Sequence, residues 1–78
     1  MKNNLIEIAG WYGAVAIVLA YALSSFSVIT PDTALYQILN LTGALGIIIV
    51  SFHKKAYQPG TLNIIWAVIA LIALINIL

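Results

Sequence analysis

The sequence predicts an all-α integral membrane protein, a bundle of three transmembrane helices in a single membrane domain over residues 1–78. Only 6% of the residues are charged, whereas soluble domains have about 25%. The hydrophobic fraction is 64%, and the mean hydropathy is +1.13. The apolar residues form three stretches, each close to the ~20 residues that cross a ~30 Å hydrocarbon core. A soluble fold of this composition would have too few polar residues to cover its surface.

The three helices are predicted over residues 5–29, 33–52 and 61–78. The first hinge, Thr30-Pro31-Asp32-Thr33, is typical of a helix start, because proline favours the first turn and Thr or Asp oxygens accept from free amides. In the second hinge, Pro59-Gly60 is expected to end the second helix, and Thr61 to cap the third. Hinges this short predict that neighbouring helices are antiparallel.

The first apolar stretch has a second interpretation, a cleaved signal peptide. It follows Lys2 and contains Ala20-Tyr21-Ala22, which is similar to a cleavage site. However, Glu7 interrupts its early part, and the apolar run continues to Ile29. A membrane span is therefore favoured over cleavage.

The lysines predict the orientation of the chain in its lipid bilayer. Lys2, Lys54 and Lys55 fall on one side of the predicted membrane, and the opposite side carries only Asp32. Basic residues favour the cytoplasmic side. We therefore expect a multi-pass protein of a bacterial inner membrane, with a cytoplasmic N-terminus and a periplasmic C-terminus. Glu7 is expected to be a solvated residue that is stabilised by the helix dipole.

The sequence argues against several classes of function. The net charge of +1 is too small for a nucleic-acid partner. No cluster of His, Asp, Glu or Cys residues predicts a metal site, and the chain has no cysteine. No nucleophile, base and orienting group can be assembled, so neither an enzyme nor a cofactor is expected.

Small residues recur on all three helices and predict close helix packing. They are Gly10, Gly13 and Ala14 in the first span, Gly43 and Gly46 in the second, and Ala67, Ala70 and Ala73 in the third. These small residues are expected either to pack against each other within the chain or to form an interface between copies of the chain. Since three helices enclose little volume, we expect a homodimer for any function that needs a cavity.

Three residues are predicted to bind a small-molecule solute: Asn40, Asn63 and Trp66. Asn40 shares a helix face with Tyr36, Gly43 and Ile47, and it either bonds a neighbouring helix or lines a substrate path. Asn63 and Trp66 lie one turn apart, as an amide beside an aromatic ring. They form a ligand platform, or Asn63 caps the helix and Trp66 belongs to an interfacial aromatic belt.

Two groups of membrane proteins resemble this sequence. The run Gly10-Trp11-Tyr12-Gly13-Ala14 resembles the first span of the SemiSWEET sugar transporters of the PQ-loop superfamily, and Pro59 followed by Asn63 resembles their proline and substrate-binding asparagine. Tyr36-Gln37-Ile38-Leu39-Asn40 with Gly43, and Asn63 with Trp66, resemble uncharacterised bacterial three-span proteins labelled permeases.

The SemiSWEET resemblance implies a parallel homodimer with a central cavity and alternating access, in which Asn63 contacts substrate beside Trp66. The sequence departs from that family at Leu23-Ser24, where the family has its Pro-Gln pair. The family's N-terminus is also outside, whereas the lysines predict it inside.

The sequence therefore predicts a homodimeric transporter of a small neutral or polar solute. The alternative is a non-transporting accessory or structural protein that binds a larger membrane partner through its helix faces. A pore-forming holin is disfavoured, because a water-filled pore needs a continuous polar lining and Asn40 and Asn63 lie at different depths.

Overall fold

The computed structural model describes the backbone of residues 2–78 and the side chains from residue 4 onward. Its helices are α1 (Lys2–Ser25), α2 (Ala34–His53) and α3 (Tyr57–Ile77). All three are long and apolar enough to cross a membrane. The predicted all-helical fold with three candidate membrane spans is therefore confirmed.

Helix α1 ends at Ser25, four residues before the predicted end of the first span. Ser27 adopts a left-handed conformation with a φ of 64°. The amide of Val28 donates to the carbonyl of Leu23 at 2.8 Å, and that of Ser27 donates to Ser24 at 3.1 Å. This pair of bonds is a Schellman cap, which satisfies carbonyls that the helix leaves free. Apolar residues continue through the cap, so hydropathy alone does not reveal it.

Helix α2 begins as the first hinge predicts, with a threonine cap. The Thr33 hydroxyl oxygen accepts from the amide of Tyr36 at 3.3 Å and donates to the carbonyl of Thr30 at 2.8 Å. The Gln37 side chain donates to the carbonyl of Pro31 at 2.8 Å. Pro31 lies before the cap and not in the first helical turn. These bonds bring the hinge back onto the start of α2.

The second hinge differs from its prediction. Helix α2 ends at His53, and Lys55 adopts a φ of 61°. The amide of Ala56 then donates to the carbonyl of Ser51 at 2.7 Å, which forms a second Schellman cap. Pro59-Gly60 does not end α2, and Thr61 does not cap α3. Instead, α3 begins four residues earlier than predicted, because proline is tolerated in a first turn whose amides have no helical partner.

Helix α2 is the central helix of the bundle. It packs against both α1 and α3, whereas the described parts of α1 and α3 have no pair of Cα atoms within 8 Å of each other. The buried apolar side chains among residues 4–78 are all small: Ala16, Ala20, Ala44, Ala67 and Ala70. The three helices therefore pack through small residues and enclose little interior volume.

Glycines set the contact between α1 and α2. A methyl group at Gly13 would meet the carbonyl oxygen of Gly43, and one at Gly46 would meet the carbonyl oxygen of Ala9. Gly43 itself lies against Gly13 and Ile17. The small residues of these two helices therefore pack within the chain. This was one of their two predicted roles, the other being self-association.

A side-chain hydrogen bond also joins α1 to α2. The hydroxyls of Tyr12 and Thr42 lie 2.6 Å apart. Thr42 donates its single hydroxyl proton to the carbonyl of Ile38 at 2.8 Å. Tyr12 is therefore the donor to Thr42. Such interhelical bonds contribute roughly 0.6–2 kcal/mol in a membrane.

Candidate functional site

One stripe of α2 forms the floor of a groove that runs between α1 and α3. Its residues are Tyr36, Asn40, Gly43, Ile47 and Val50 of α2, followed by the C-cap residue Lys54. They are spaced alternately by four and three residues, so they share one face of the helix. Because the described parts of α1 and α3 flank α2 without meeting, a gap remains above this stripe, although Gly43, Ile47 and Val50 also pack against the glycines of α1. We call this surface the α2 groove.

Open cavities follow the α2 groove from the first hinge to the level of Asn63. Near the α2 N-terminus, a cavity of about 390 Å³ is lined by Pro31, Asp32, Gln37, Ala73, Asn76 and Ile77. The next, of about 180 Å³, is lined by Tyr36, Gln37, Asn40, Trp66, Ile69 and Ala70. A third, of about 270 Å³, is lined by Ile17, Ile47, Leu62, Asn63 and Trp66. Successive cavities share Gln37 and then Trp66, so the three adjoin.

The structure places Asn40 at the floor of the middle cavity. Its side chain is 6% exposed, and its amide nitrogen donates to the carbonyl of Tyr36 at 3.1 Å. This bond lies within α2 and does not reach a neighbouring helix. Among the described residues, no side-chain oxygen or nitrogen is both fully buried and unpaired. The Asn40 carbonyl oxygen, for which no hydrogen bond is found, is therefore not fully enclosed.

Asn63 has a similar arrangement on α3. Its amide nitrogen donates to the carbonyl of Pro59 at 2.9 Å, and its side chain is half-buried beside Trp66. The bond reaches back one turn along α3, so Asn63 does not cap the helix. Both asparagines thus use one amide hydrogen on the backbone of their own helix, and both line cavities of the groove.

Trp66 lies near the middle of α3. Interfacial belt residues lie near helix ends, at the depth of the lipid head groups. Trp66 instead lines both the Asn40 cavity and the Asn63 cavity, with half of its surface exposed. The three predicted binding residues therefore lie along one groove, with the indole between the two amides.

An ion pair lies at the other end of the groove. Lys54 Nζ is 2.9 Å from Glu7 Oε2, and both side chains are about half exposed. Glu7 was expected to be solvated; its side chain is about half exposed, and it also joins α1 to α2 through Lys54. The pair lines a cavity of about 270 Å³ with Gly10, Trp11, Ala14 and Val50. The sequence does not reveal this contact, because the partners are far apart in the chain.

The opposite face of α2 is apolar except for Thr42, whose hydroxyl bonds to Tyr12 and to the carbonyl of Ile38. Its exposed stripe consists of Leu35, Ile38, Leu45, Ile49 and Phe52. The polar side chains of the α2 groove therefore lie on one side of the bundle, and a surface suited to lipid lies on the other. Gln37 and Asn76, which extend the polar lining towards Asp32, were missed because each falls near a helix end.

The groove offers hydrogen-bonding groups and an aromatic face, but no assembly of metal ligands. Within the described residues, no three His, Cys, Asp or Glu side chains lie close enough together to hold a metal ion. Asp32 lies at the first hinge, where its carboxylate accepts from the Thr30 hydroxyl. The chemistry that the groove supplies is binding through amides, one tyrosine and one tryptophan.

The fold and the groove define a small, multi-pass, three-helix membrane protein. A family model matches residues 6–78, and the chain belongs to that family, which is uncharacterised. No curated protein and no solved structure matches the chain. The resemblance to uncharacterised three-span proteins is thus supported at the level of a family, and the SemiSWEET resemblance stays a prediction.

Proposed function

We propose that the protein is a transporter of a small neutral or weakly polar solute, and that it works as a homodimer whose two α2 grooves face each other. The observation that carries this proposal is the series of adjoining cavities along one face. It aligns Asn40, Trp66 and Asn63 with Gln37 and Tyr36 between the two ends of the bundle. The amides lie at different depths, and the other groups extend the polar lining around them.

A second copy of the chain accounts for the open groove. A polar side chain that faces hydrocarbon without a partner costs several kcal/mol, roughly 2–7 by transfer measurements. A single copy does not enclose its groove, because the described parts of α1 and α3 do not meet over it. Two grooves placed together would bury the polar stretch from Gln37 to Asn63 in both copies, and would leave the Glu7–Lys54 end and the apolar stripes of α2 in contact with lipid. The shared space between them would be the solute site.

The lining favours an uncharged solute that donates hydrogen bonds. The carbonyl oxygens of Asn40 and Asn63 accept hydrogen bonds, and the Trp66 ring covers an apolar part of the ligand. The charged residues of the groove, Glu7, Lys54 and Asp32, lie at its two ends. A charged solute would therefore have no opposite charge in the middle of the groove, where desolvation is most costly.

The orientation that we propose follows the lysines. Lys54 and Lys55 lie at the end of the bundle where α1 begins, and this end is cytoplasmic under the positive-inside rule. The ion pair between Glu7 and Lys54 does not alter this assignment, because acidic residues contribute little to the bias. The membrane that we propose is a bacterial inner membrane.

Uptake into proteoliposomes tests the proposal. We expect the purified protein to move one or more radiolabelled neutral polyols or sugars down a gradient, with saturation at high concentration. Empty liposomes, and a panel of amino acids and organic anions, serve as controls. Saturable flux of a neutral solute alone supports the assignment. No flux of any solute from protein that is folded and dimeric contradicts it.

The accessory alternative makes a different prediction for the same groove. In that case a helix of a larger membrane protein would cover Asn40 and Trp66, and no solute would cross. Absence of uptake, together with a stoichiometric complex that protects the groove from aqueous reagents, would favour this alternative.

A further inference from the structure

The end of the bundle where α1 begins combines a pair of opposite charges with an apolar surface. Glu7 and Lys54 contact each other at 2.9 Å, yet each side chain is about half exposed. A carboxylate has about four acceptor sites, and an ammonium group has three donors. Each partner therefore keeps hydrogen-bonding capacity for a ligand that lies over the pair.

An apolar furrow on α1 continues from this charged pair towards the middle of the membrane. It has a volume of about 400 Å³ and is lined by Trp11, Ala14, Val15, Val18, Leu19 and Ala22. The cavity beside Glu7 and Lys54 shares Trp11 and Ala14 with it, so the two adjoin. A helix rises ~1.5 Å per residue, so Trp11 to Ala22 spans about 16 Å. This length is close to half of a ~30 Å hydrocarbon core, the depth of one leaflet.

We propose that this surface binds one phospholipid whose zwitterionic head group carries a primary ammonium. The lipid phosphate contacts Lys54, the lipid ammonium contacts Glu7, and one acyl chain lies along the furrow on α1. The occupant follows from charge complementarity, because one head group places a negative and a positive charge side by side over a matching pair. The exposed indole of Trp11 suits the boundary between head group and acyl chain. The inference does not depend on transport.

The proposed contacts distinguish among head groups. A choline head group has the same net charge, but its quaternary nitrogen has no N–H to donate to Glu7. An anionic glycerol head group offers a phosphate to Lys54 and no ammonium to Glu7. We therefore expect selectivity for phosphatidylethanolamine over both phosphatidylcholine and phosphatidylglycerol.

Quenching of Trp11 fluorescence by lipids with brominated acyl chains measures this selectivity. The variant Trp66→Phe leaves Trp11 as the single tryptophan, and it is reconstituted in phosphatidylcholine vesicles with a brominated test lipid. We expect phosphatidylethanolamine to bind about two- to fivefold more tightly than phosphatidylcholine, the range of a partly exposed ionic contact. Native mass spectrometry of the unsubstituted chain provides a second ranking of the same lipids.

Glu7→Gln is expected to abolish the preference for phosphatidylethanolamine and, by leaving Lys54 unpaired, to favour phosphatidylglycerol. Lys55→Gln is the matched control, since Lys55 is a neighbouring exposed lysine outside the cavity lining. Equal quenching by phosphatidylethanolamine and phosphatidylcholine in the Trp66→Phe protein, without a change at Glu7, would overturn the proposal. So would equal quenching by phosphatidylglycerol, a preference unchanged in Glu7→Gln, or shielding of Trp11 from every lipid by a second copy of the chain.

Discussion

Replacing Gly46 with alanine is expected to separate α1 from α2 and to lower the free energy of unfolding by about 1–3 kcal/mol, the usual cost of overpacking. The added methyl group would meet the carbonyl oxygen of Ala9, which belongs to the backbone of α1 and cannot rotate away. Alanine is a better helix former than glycine by about 0.8–1 kcal/mol. Helix propensity alone would therefore make Gly46→Ala more stable, so a loss of stability would have to come from the clash between α1 and α2. Reversible unfolding in mixed micelles measures it.

Gly60→Ala provides the matched control for this experiment. A methyl group at Gly60 would lie 2.8 Å from the ring of Phe52, a side chain that can move aside. We therefore expect a change in the free energy of unfolding close to zero or slightly stabilising. Equal destabilisation by Gly46→Ala and Gly60→Ala would contradict the claim that α1 and α2 are in close backbone contact at Gly46.

Asn40→Leu and Asn63→Leu are each expected to abolish uptake, with a loss of about tenfold or more, while the dimer remains intact. A lost hydrogen bond to a solute contributes roughly 0.5–1.5 kcal/mol, and leucine also fills part of the groove. Each asparagine bonds the backbone of its own helix, so its removal breaks no hydrogen bond between helices. The measurements are the initial rate of uptake and the molecular mass in detergent.

Leu45→Ala is the control for these two variants, because Leu45 lies on the exposed apolar stripe of α2, away from the groove. It is expected to leave uptake unchanged. Loss of the dimer in Asn40→Leu or Asn63→Leu would instead give the asparagines a structural role in assembly. Normal uptake in both variants would remove them from the solute path.

The sequence predicted the three helices well, since each needs only a long apolar stretch. It predicted their ends less well. Schellman caps usually place glycine in the left-handed position, but here Ser27 and Lys55 take it. Neither residue type signals such a cap. Pro59, in contrast, gave a false signal of a helix end. It suggested a break between α2 and α3, whereas the first turn of α3 tolerates proline.

For the candidate site, polarity within apolar stretches singled out Asn40 and Asn63, and helical spacing of one turn from Asn63 added Trp66. Their arrangement along one groove depends on the way in which α3 packs against α2, and helical spacing within one element cannot provide that. The partner of Glu7 was missed for the same reason. The predicted face of Tyr36, Asn40, Gly43 and Ile47 proved to be the floor of the groove, although Gly43 packs against α1.

The central claim is that two copies of the chain meet through their α2 grooves, and single-cysteine cross-linking in native membranes tests it most directly. The sequence has no cysteine, so each introduced thiol is unique. Ile47 lines the groove, and Ile49 lies on the apolar stripe of the same helix at nearly the same depth. In a parallel twofold dimer, equivalent residues near the axis face each other.

With a short bifunctional thiol reagent, we expect Ile47→Cys to give a covalent dimer and Ile49→Cys to stay monomeric. A dimer from Ile49→Cys with none from Ile47→Cys would place the interface on the opposite face of α2 and contradict the account. Monomers from both variants would contradict it as well, because they would show that the grooves do not meet.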